Sequence, residues 1–220
     1  MKTIISDDAL SGYVTKRWLS DRKRDYYYRK AKKEKLRSRA AYKLLQINDR
    51  FSIISPGDRV VDLGASPGGW SQVALELAGS TGKVVAADMR RMRPIEGVEF
   101  VLGDIRKGET VKAIIESLGG SADIVISDMS PNISGNYSTD HARSIELCEH
   151  ALSFSRKVLR QRGTLLVKVF EGDLYREYLE HLKRYFKTVK AHGPKASRQA
   201  SSEIYVIATG FFGDGPTEIA

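Results

Sequence analysis

The chain is 220 residues long with a mass of 24.5 kDa, and its 41% of hydrophobic residues is enough to build a core, which excludes a disordered or fibrous protein. No apolar run approaches the roughly 18–20 residues that span a bilayer, and the opening stretch, with Asp7 and Asp8, has no signal-peptide pattern. Cys148 is the one cysteine, which excludes an internal disulfide and a thiolate metal cluster, so the sequence predicts a cytoplasmic protein with no membrane partner and no metal.

The net charge of +9 is unevenly placed. Between Lys16 and Lys43 stand 13 basic and 3 acidic residues, while the rest of the chain carries 23 and 24. Trp18, Tyr26, Tyr27, Tyr28 and Tyr42 are interleaved with those cations. Cations that neutralise phosphates beside rings that stack on bases are the footprint of a nucleic-acid binder. The same composition also suits a solvated helical face whose aromatics anchor it to a core. The apolar residues form no continuous stripe, which argues against a membrane-surface helix. A second acid-free cluster, Lys183, Arg184, Lys187, Lys190, Lys195 and Arg198, matters for nucleic acid only if folding brings it near the first.

After a helix predicted over 37–51, Pro56 and Gly57 mark a turn, and from Asp58 onward short β-branched runs alternate with helical spacing. Strands are predicted at 59–63, 83–88, 98–102, 122–128, 163–169, 186–191 and 203–209, with helices at 71–78, 107–118, 140–159 and 174–185. This alternation implies βαβ units, hence an α/β domain with a mostly parallel sheet and helices on both faces. The last two strands are joined without a helix and could pair antiparallel. In such sheets ligands bind beyond the carboxyl ends of the strands. The residues found there are Asp62 with Gly64, Asp88, Asp104, Asp128 and Lys168, as expected of a lined crevice.

The first strand–helix junction reads Asp62-Leu63-Gly64-Ala65-Ser66-Pro67-Gly68-Gly69-Trp70. Glycines there permit a tight turn and a close approach to a ligand. The pattern is neither the pyrophosphate-binding G-x-G-x-x-G nor a P-loop. Asp88 lies 20 residues beyond Gly68, the distance at which an acid reaches a ribose hydroxyl. Together these point to a nucleoside-containing cofactor without a pyrophosphate. Asp62 reads as a brace for the loop's backbone N–H groups. His141, His150, His181 and His192 have no metal-ligand spacing.

Five segments in order, Ser38-Arg39-Ala40-Ala41-Tyr42-Lys43-Leu44, Asp62 to Gln72, Ser127-Asp128-Met129-Ser130-Pro131-Asn132, Val167-Lys168-Val169-Phe170 and Ser201-Ser202-Glu203-Ile204-Tyr205, resemble the FtsJ/RrmJ (RlmE-type) RNA ribose 2′-O-methyltransferases. The resemblance runs from about Tyr26 to Thr209. It implies a Rossmann-like, seven-stranded methyltransferase fold with one antiparallel strand, and S-adenosylmethionine held near Gly68, Trp70, Asp88, Asp104 and Asp128. It further implies a catalytic tetrad of Lys43, Asp128, Lys168 and Glu203, with Lys168 as proton acceptor. The implied partner is RNA: a uridine in the A-loop of large-subunit (23S) ribosomal RNA within the assembled subunit, or, as in close relatives, an anticodon-loop ribose of tRNA. The expected organisation is a basic extension over 1–36, a methyltransferase domain over 37–212 and a tail over 213–220.

A ribose hydroxyl is a poor nucleophile, so the reaction requires a base and a near-attack placement of the oxygen. A lysine serves as base only in its neutral form, whereas a charged lysine can orient the hydroxyl and leave a carboxylate to receive the proton. The tetrad allows both routes, through Lys168 or Asp128. Two other classes share parts of this pattern. A nicotinamide-dependent oxidoreductase would share the sheet and the ribose acid, but it lacks a use for the basic arm. A non-catalytic RNA-binding or assembly factor would have no need of all four tetrad residues.

Overall fold

The computed structural model describes residues 26–197 and 202–213. Residues 16–25 of the basic segment, Arg198, and residues 214–220 of the expected tail lie outside the described residues.

Seven strands form one sheet in the order β3-β2-β1-β4-β5-β7-β6. They are β1 Arg59–Leu63, β2 Lys83–Asp88, β3 Val98–Leu102, β4 Ala122–Ser127, β5 Leu159–Phe170, β6 Phe186–His192 and β7 Glu203–Phe211. The neighbours from β3 through β5 are parallel, and β7 is antiparallel to both β5 and β6. The helices are α1 Tyr26–Lys33, α2 Ala41–Phe51, α3 Gly69–Ala78, α4 Gly108–Leu118, α5 Tyr137–Val158 and α6 Tyr175–Lys183.

Alternation along the strands divides the core into two layers. Val61, Leu63, Val85, Ala87, Leu165 and Val167 face α4, α5 and α6. Val60, Val84, Ile124, Ile126, Leu166, Tyr205 and Ile207 face α2 and α3, meeting Leu44, Ile47, Trp70 and Val73. Helix α1 lies outside this second layer, where Ala31 packs with Tyr42 and with Ala196 of the β6–β7 connection. The strand order reverses between β1 and β4, so the crevice of an open α/β sheet falls there.

Several element ends differ from the sequence pattern. Helix α2 starts at Ala41 rather than at 37: the turn before it is tighter, with the N–H groups of Ala41, Tyr42 and Lys43 bonded to the carbonyls of Ser38, Arg39 and Ala40, and the Arg37 N–H is held by Gln72 Oε1 at 2.8 Å. Helix α5 starts at Tyr137, capped by Asn136, whose Oδ1 accepts the Thr139 N–H at 3.0 Å. Asp140 is thus inside the helix and turns back to accept the Ser134 and Gly135 N–H groups (2.8 and 3.0 Å). Leu159 ends no helix but opens β5, which pairs Leu159 with Ala122, is interrupted by Arg162 at φ 64°, and resumes with Thr164 opposite Ile124. No helix of the described residues is long and apolar enough to cross a membrane.

Candidate active site

The face that carries Val60, Val84, Ile126 and Leu166 continues along the strands into Asp62, Asp88, Asp128 and Lys168, two residues further in β1, β4 and β5 and four further in β2. Across the sheet Lys168 stands opposite Tyr205 and Phe170 opposite Glu203, which brings β7's first residue to the same end. Helix α2 covers this face and contributes Lys43. The four residues of the expected tetrad therefore come together, from one helix and three strands or strand ends.

They form two ion pairs. Lys43 Nζ lies 2.5 Å from Glu203 Oε1, and Lys168 Nζ lies 3.0 Å from Asp128 Oδ1. Lys168 also donates to the Asp128 backbone carbonyl at 2.7 Å. Both lysines are buried, 8% and 7% exposed, which their pairing makes tolerable. Tyr205 links the pairs. Its hydroxyl donates to Asp128 Oδ1 at 2.7 Å, and Lys43 Nζ sits 5.7 Å from its ring centre. Burial and the neighbouring Asp128 and Glu203 charges hold the Tyr205 hydroxyl well above its ordinary pKa, so it stays a donor. Tyr205 belongs to the Ser201–Tyr205 segment but carries no expected role in the sequence pattern. Its signal was its place two residues after Glu203 in a strand, hence on the same face.

Beside this cluster lies the glycine loop. Gly64 (φ 70°) and Gly68 (φ 102°) adopt the left-handed backbone that glycine favours, and a Cβ on Gly64 would come within 2.4 Å of Met129 Cγ. The loop after β1 and the loop after β4 thus pack directly across the switch point. Asp88 accepts the Ser66 N–H at 2.9 Å and the Arg90 N–H at 2.7 Å. Asp104, beyond β3, is gripped by the Arg106 guanidinium (2.6–3.0 Å), and that bonding lowers its carboxyl to about 2. Trp70 is 3% exposed, and its indole N–H donates to the Ala40 carbonyl at 2.8 Å, so its side chain belongs to the core beside Tyr205 and only its backbone faces the loop. Asp62 accepts a backbone hydrogen bond from Ser71, at the start of the helix that follows the loop. It lies beneath the loop and also accepts the Ser71 hydroxyl at 2.6 Å.

A strap closes the loop from outside. Arg37 donates to the carbonyls of Pro67 (3.3 Å), Arg93 and Pro94 (2.5 Å). Gln72 is hydrogen-bonded to both Lys35 and Arg37, and Ser38 Oγ would touch a Cβ on Gly69.

The donor set of S-adenosylmethionine is an ammonium, two ribose hydroxyls and an adenine amine, and acceptors suit it. Asp88, Asp104 and Asp128 supply carboxylates at the ends of β2, β3 and β4, and the start of α3 behind Gly68 supplies N–H groups for its carboxylate. Among the described residues no group of three or more His, Cys, Asp or Glu could hold a metal ion.

This geometry defines a Rossmann-like methyltransferase, and the sequence pattern of the FtsJ-like methyltransferases matches residues 36–211. The chain belongs to that family and takes its methyl group from S-adenosylmethionine. It is 56% identical over 184 residues to the ribosomal RNA large subunit methyltransferase E of Methanothrix thermoacetophila, covering 84% of this chain and 71% of that protein. It is 47% identical over 200 residues to the protein of the same name from Methanothermobacter thermautotrophicus, covering 90% and 95%. A crystal structure from Plasmodium falciparum, described as a ribosomal RNA methyltransferase, superposes with a TM-score of 0.72 at 30% identity, over 80% of this chain and 99% of that one.

The Asp62 carboxyl is pushed up to about 7 by burial; the Ser71 hydrogen bond opposes the shift, and the Asp128 and Asp88 charges add to it. A carboxyl raised from 3.8 on folding favours the folded state fully only below pH 4, and that contribution is lost as the pH climbs through 7. Asp62→Asn keeps an acceptor for Ser71 without the titration. The stability of the wild type relative to this variant should therefore fall by up to a few kcal/mol over that range. Urea midpoints at each pH give the measurement, and a constant difference would show that Asp62 ionises alike in both states.

Proposed function

We propose that the chain methylates a ribose 2′-hydroxyl in RNA: a uridine in the A-loop of large-subunit (23S) ribosomal RNA, in the assembled subunit and in the cytoplasm. The observation that carries this reading is the convergence of Lys43, Asp128, Lys168 and Glu203 beside the glycine loop. The relatives called ribosomal RNA large subunit methyltransferase E support the choice of RNA.

When bound, S-adenosylmethionine would supply an electrophilic methyl group to the ribose oxygen, with S-adenosylhomocysteine as the leaving thioether. Gly68 and the backbone of Trp70, with Asp88 at the ribose, Asp104 at the adenine and Asp128, would hold the cofactor. Lys168 is the proton acceptor in this proposal. To do this the Lys168 ammonium first gives up one hydrogen, and the neutral amine then has two hydrogens and one lone pair. The two acceptors that Lys168 meets, the Asp128 carbonyl and Oδ1, use both hydrogens, and the lone pair is left for the hydroxyl proton. The ammonium so formed is at once paired with Asp128. Routing the proton to Asp128 Oδ1 instead would place it on an oxygen that already accepts from Lys168 and Tyr205. Lys43 and Glu203, paired with each other, orient the hydroxyl. Tyr205 is a positioning residue that fixes the Asp128 carboxylate. Residues 1–36 form the RNA-docking extension of a methyltransferase domain over 37–212, followed by a tail over 213–220.

Three outcomes check this. Labelled methyl should pass to large ribosomal subunits from a strain lacking the gene, and not to tRNA or naked ribosomal RNA. Lys168→Ala should cut that transfer by about 10²-fold or more with RNA binding retained; unaltered turnover would remove Lys168 from the chemistry. Label in tRNA would keep the reaction and replace the substrate.

Tyr205→Phe should lower kcat on the order of tenfold through loss of one hydrogen bond to a charged group. The KM values for both substrates should stay level and the kcat–pH profile should move, and a fall in stability alone would contradict the positioning role.

Neutralising Arg22, Lys23, Arg24, Lys32 and Lys33 together should weaken RNA binding and flatten its dependence on salt, because each phosphate contact contributes about one unit of slope. An unchanged slope would take this segment off the phosphates.

A further inference from the structure

Among the described residues seven large hydrophobic side chains are exposed, and four of them, Met89, Ile133, Tyr137 and Leu174, stand in or at the ends of the connections leaving β2, β4 and β5 on the side of the Lys–Asp–Lys–Glu cluster. Tyr137 is distinguished by how firmly it is held. Its side chain is 60% exposed, yet its hydroxyl donates to the Glu171 carbonyl at 2.7 Å, and its ring lies nearly parallel to that of His141, 15° between planes and 6.4 Å between centres. His141 is buried and fixed at both nitrogens: Nδ1 is 3.0 Å from the Phe170 carbonyl, and Nε2 accepts the Leu174 N–H at 3.0 Å. A carbonyl only accepts and a backbone N–H only donates, so Nδ1 carries the hydrogen and the ring is neutral.

The anchor also sets the ring's place. Glu171 follows Phe170, the strand partner of Glu203, and the Glu171 N–H donates to the Ser202 carbonyl at 3.0 Å. The Tyr137 hydroxyl is therefore tied to the residue that joins the Lys168 and Glu203 strands. Ile133, 64% exposed, lies in the same connection between Asp128 and Tyr137. That connection is braced by Asp140, which accepts from Ser134 and Gly135, and by the exposed Arg143, which donates to the Asn132 carbonyl at 3.3 Å.

A ring fixed in advance loses little freedom on binding. An exposed aromatic face beside cations is what unstacked bases meet in single-stranded RNA recognition. We propose that Tyr137, flanked by Ile133, is a stacking platform for an unpaired nucleobase adjoining the methylated ribose, across the cluster from the basic helix α1. This rests on the ribose-methylation reading. Arg143, on the same lip, supplies a positive charge to the phosphate of that nucleotide.

The test uses the full chain and the RNA preparation that the wild type methylates. Tyr137→Ala should raise the KM for RNA about fivefold or more, the effect of losing one base–aromatic stack, with the KM for S-adenosylmethionine unmoved. Tyr137→Phe, which keeps the ring, should retain most of the affinity. Ultraviolet irradiation of the wild-type complex should yield a nucleotide adduct on the peptide containing Tyr137. An unchanged RNA KM in Tyr137→Ala, or an equal rise in both KM values, would overturn the platform while leaving ribose methylation intact. A wild type that methylates no RNA would overturn that reading and the platform with it.

Discussion

A lysine in the middle of an apolar strand sets the terms for this structure. Lys168 is 7% exposed among Leu165, Leu166, Val167 and Val169, and a buried ammonium persists only where acceptors surround it. Both of its described acceptors are on Asp128, one from the backbone and one from the side chain. That requirement places β4 beside β5, parallel, with Asp128 one step past the strand's end. It also gives the single reversed strand a purpose. A parallel β7 would bring its last residues to this end, whereas the antiparallel one brings Glu203 and Tyr205, the latter directly opposite Lys168. Tyr205 then supplies Asp128 with a second donor, and Glu203 supplies Lys43 with its counter-charge.

Lys43 comes from outside the sheet, so its position depends on how α2 is held. The strap of residues 35–38 does this at one end, through Arg37 and Gln72, and it reaches the glycine loop and the Arg93–Pro94 segment at once. At the other side, Gln46 of α2 accepts the Ala196 N–H at 3.0 Å, and Arg39 donates to the Ala196 carbonyl at 2.5 Å. Gln46 also donates to the Tyr27 hydroxyl of α1 at 3.1 Å. Of the second basic cluster, Lys195 is thereby brought next to the first, since its neighbour Ala196 is bonded to α2 and packs on α1. Helix α1, Lys43 and the glycine loop are therefore one hydrogen-bonded unit.

Much of this was legible in the sequence. Short β-branched runs between helical stretches located all seven strands, and the rule that ligands bind beyond the carboxyl ends of parallel strands brought Asp62, Asp88, Asp128 and Lys168 to one end of the sheet. Lys43 was not legible in that way. A lysine on an amphipathic helix reads as solvated, and only the packing of α2 on the sheet buries it, so the family resemblance alone singled it out. The start of α5 was misplaced because Asp140 and Asn136 are both good caps, and the choice fell to Asn136 once Asp140 was drawn back to Ser134 and Gly135. The side chain of Trp70 could not be assigned from a loop motif, because its partner, the Ala40 carbonyl, is 30 residues away.

Four acids line one end of this sheet, and their partners separate their roles. Asp62 is buried beneath the loop against Ser71, out of reach of a ligand. Asp128 is matched by Lys168, and Asp104 by Arg106. Asp88 is different, because its described hydrogen-bond partners are the backbone N–H groups of Ser66 and Arg90, which orient the carboxylate without cancelling its charge. An acid that must accept two hydroxyl hydrogens from a ribose has to keep its lone pairs away from a resident cation. The roles proposed for them, Asp88 at the ribose and Asp104 at the adenine, go with that difference: Asp104 is already paired with a guanidinium and Asp88 is held only by backbone donors among its described hydrogen bonds. The division of labour among chemically identical side chains thus follows from what each strand end brings beside them.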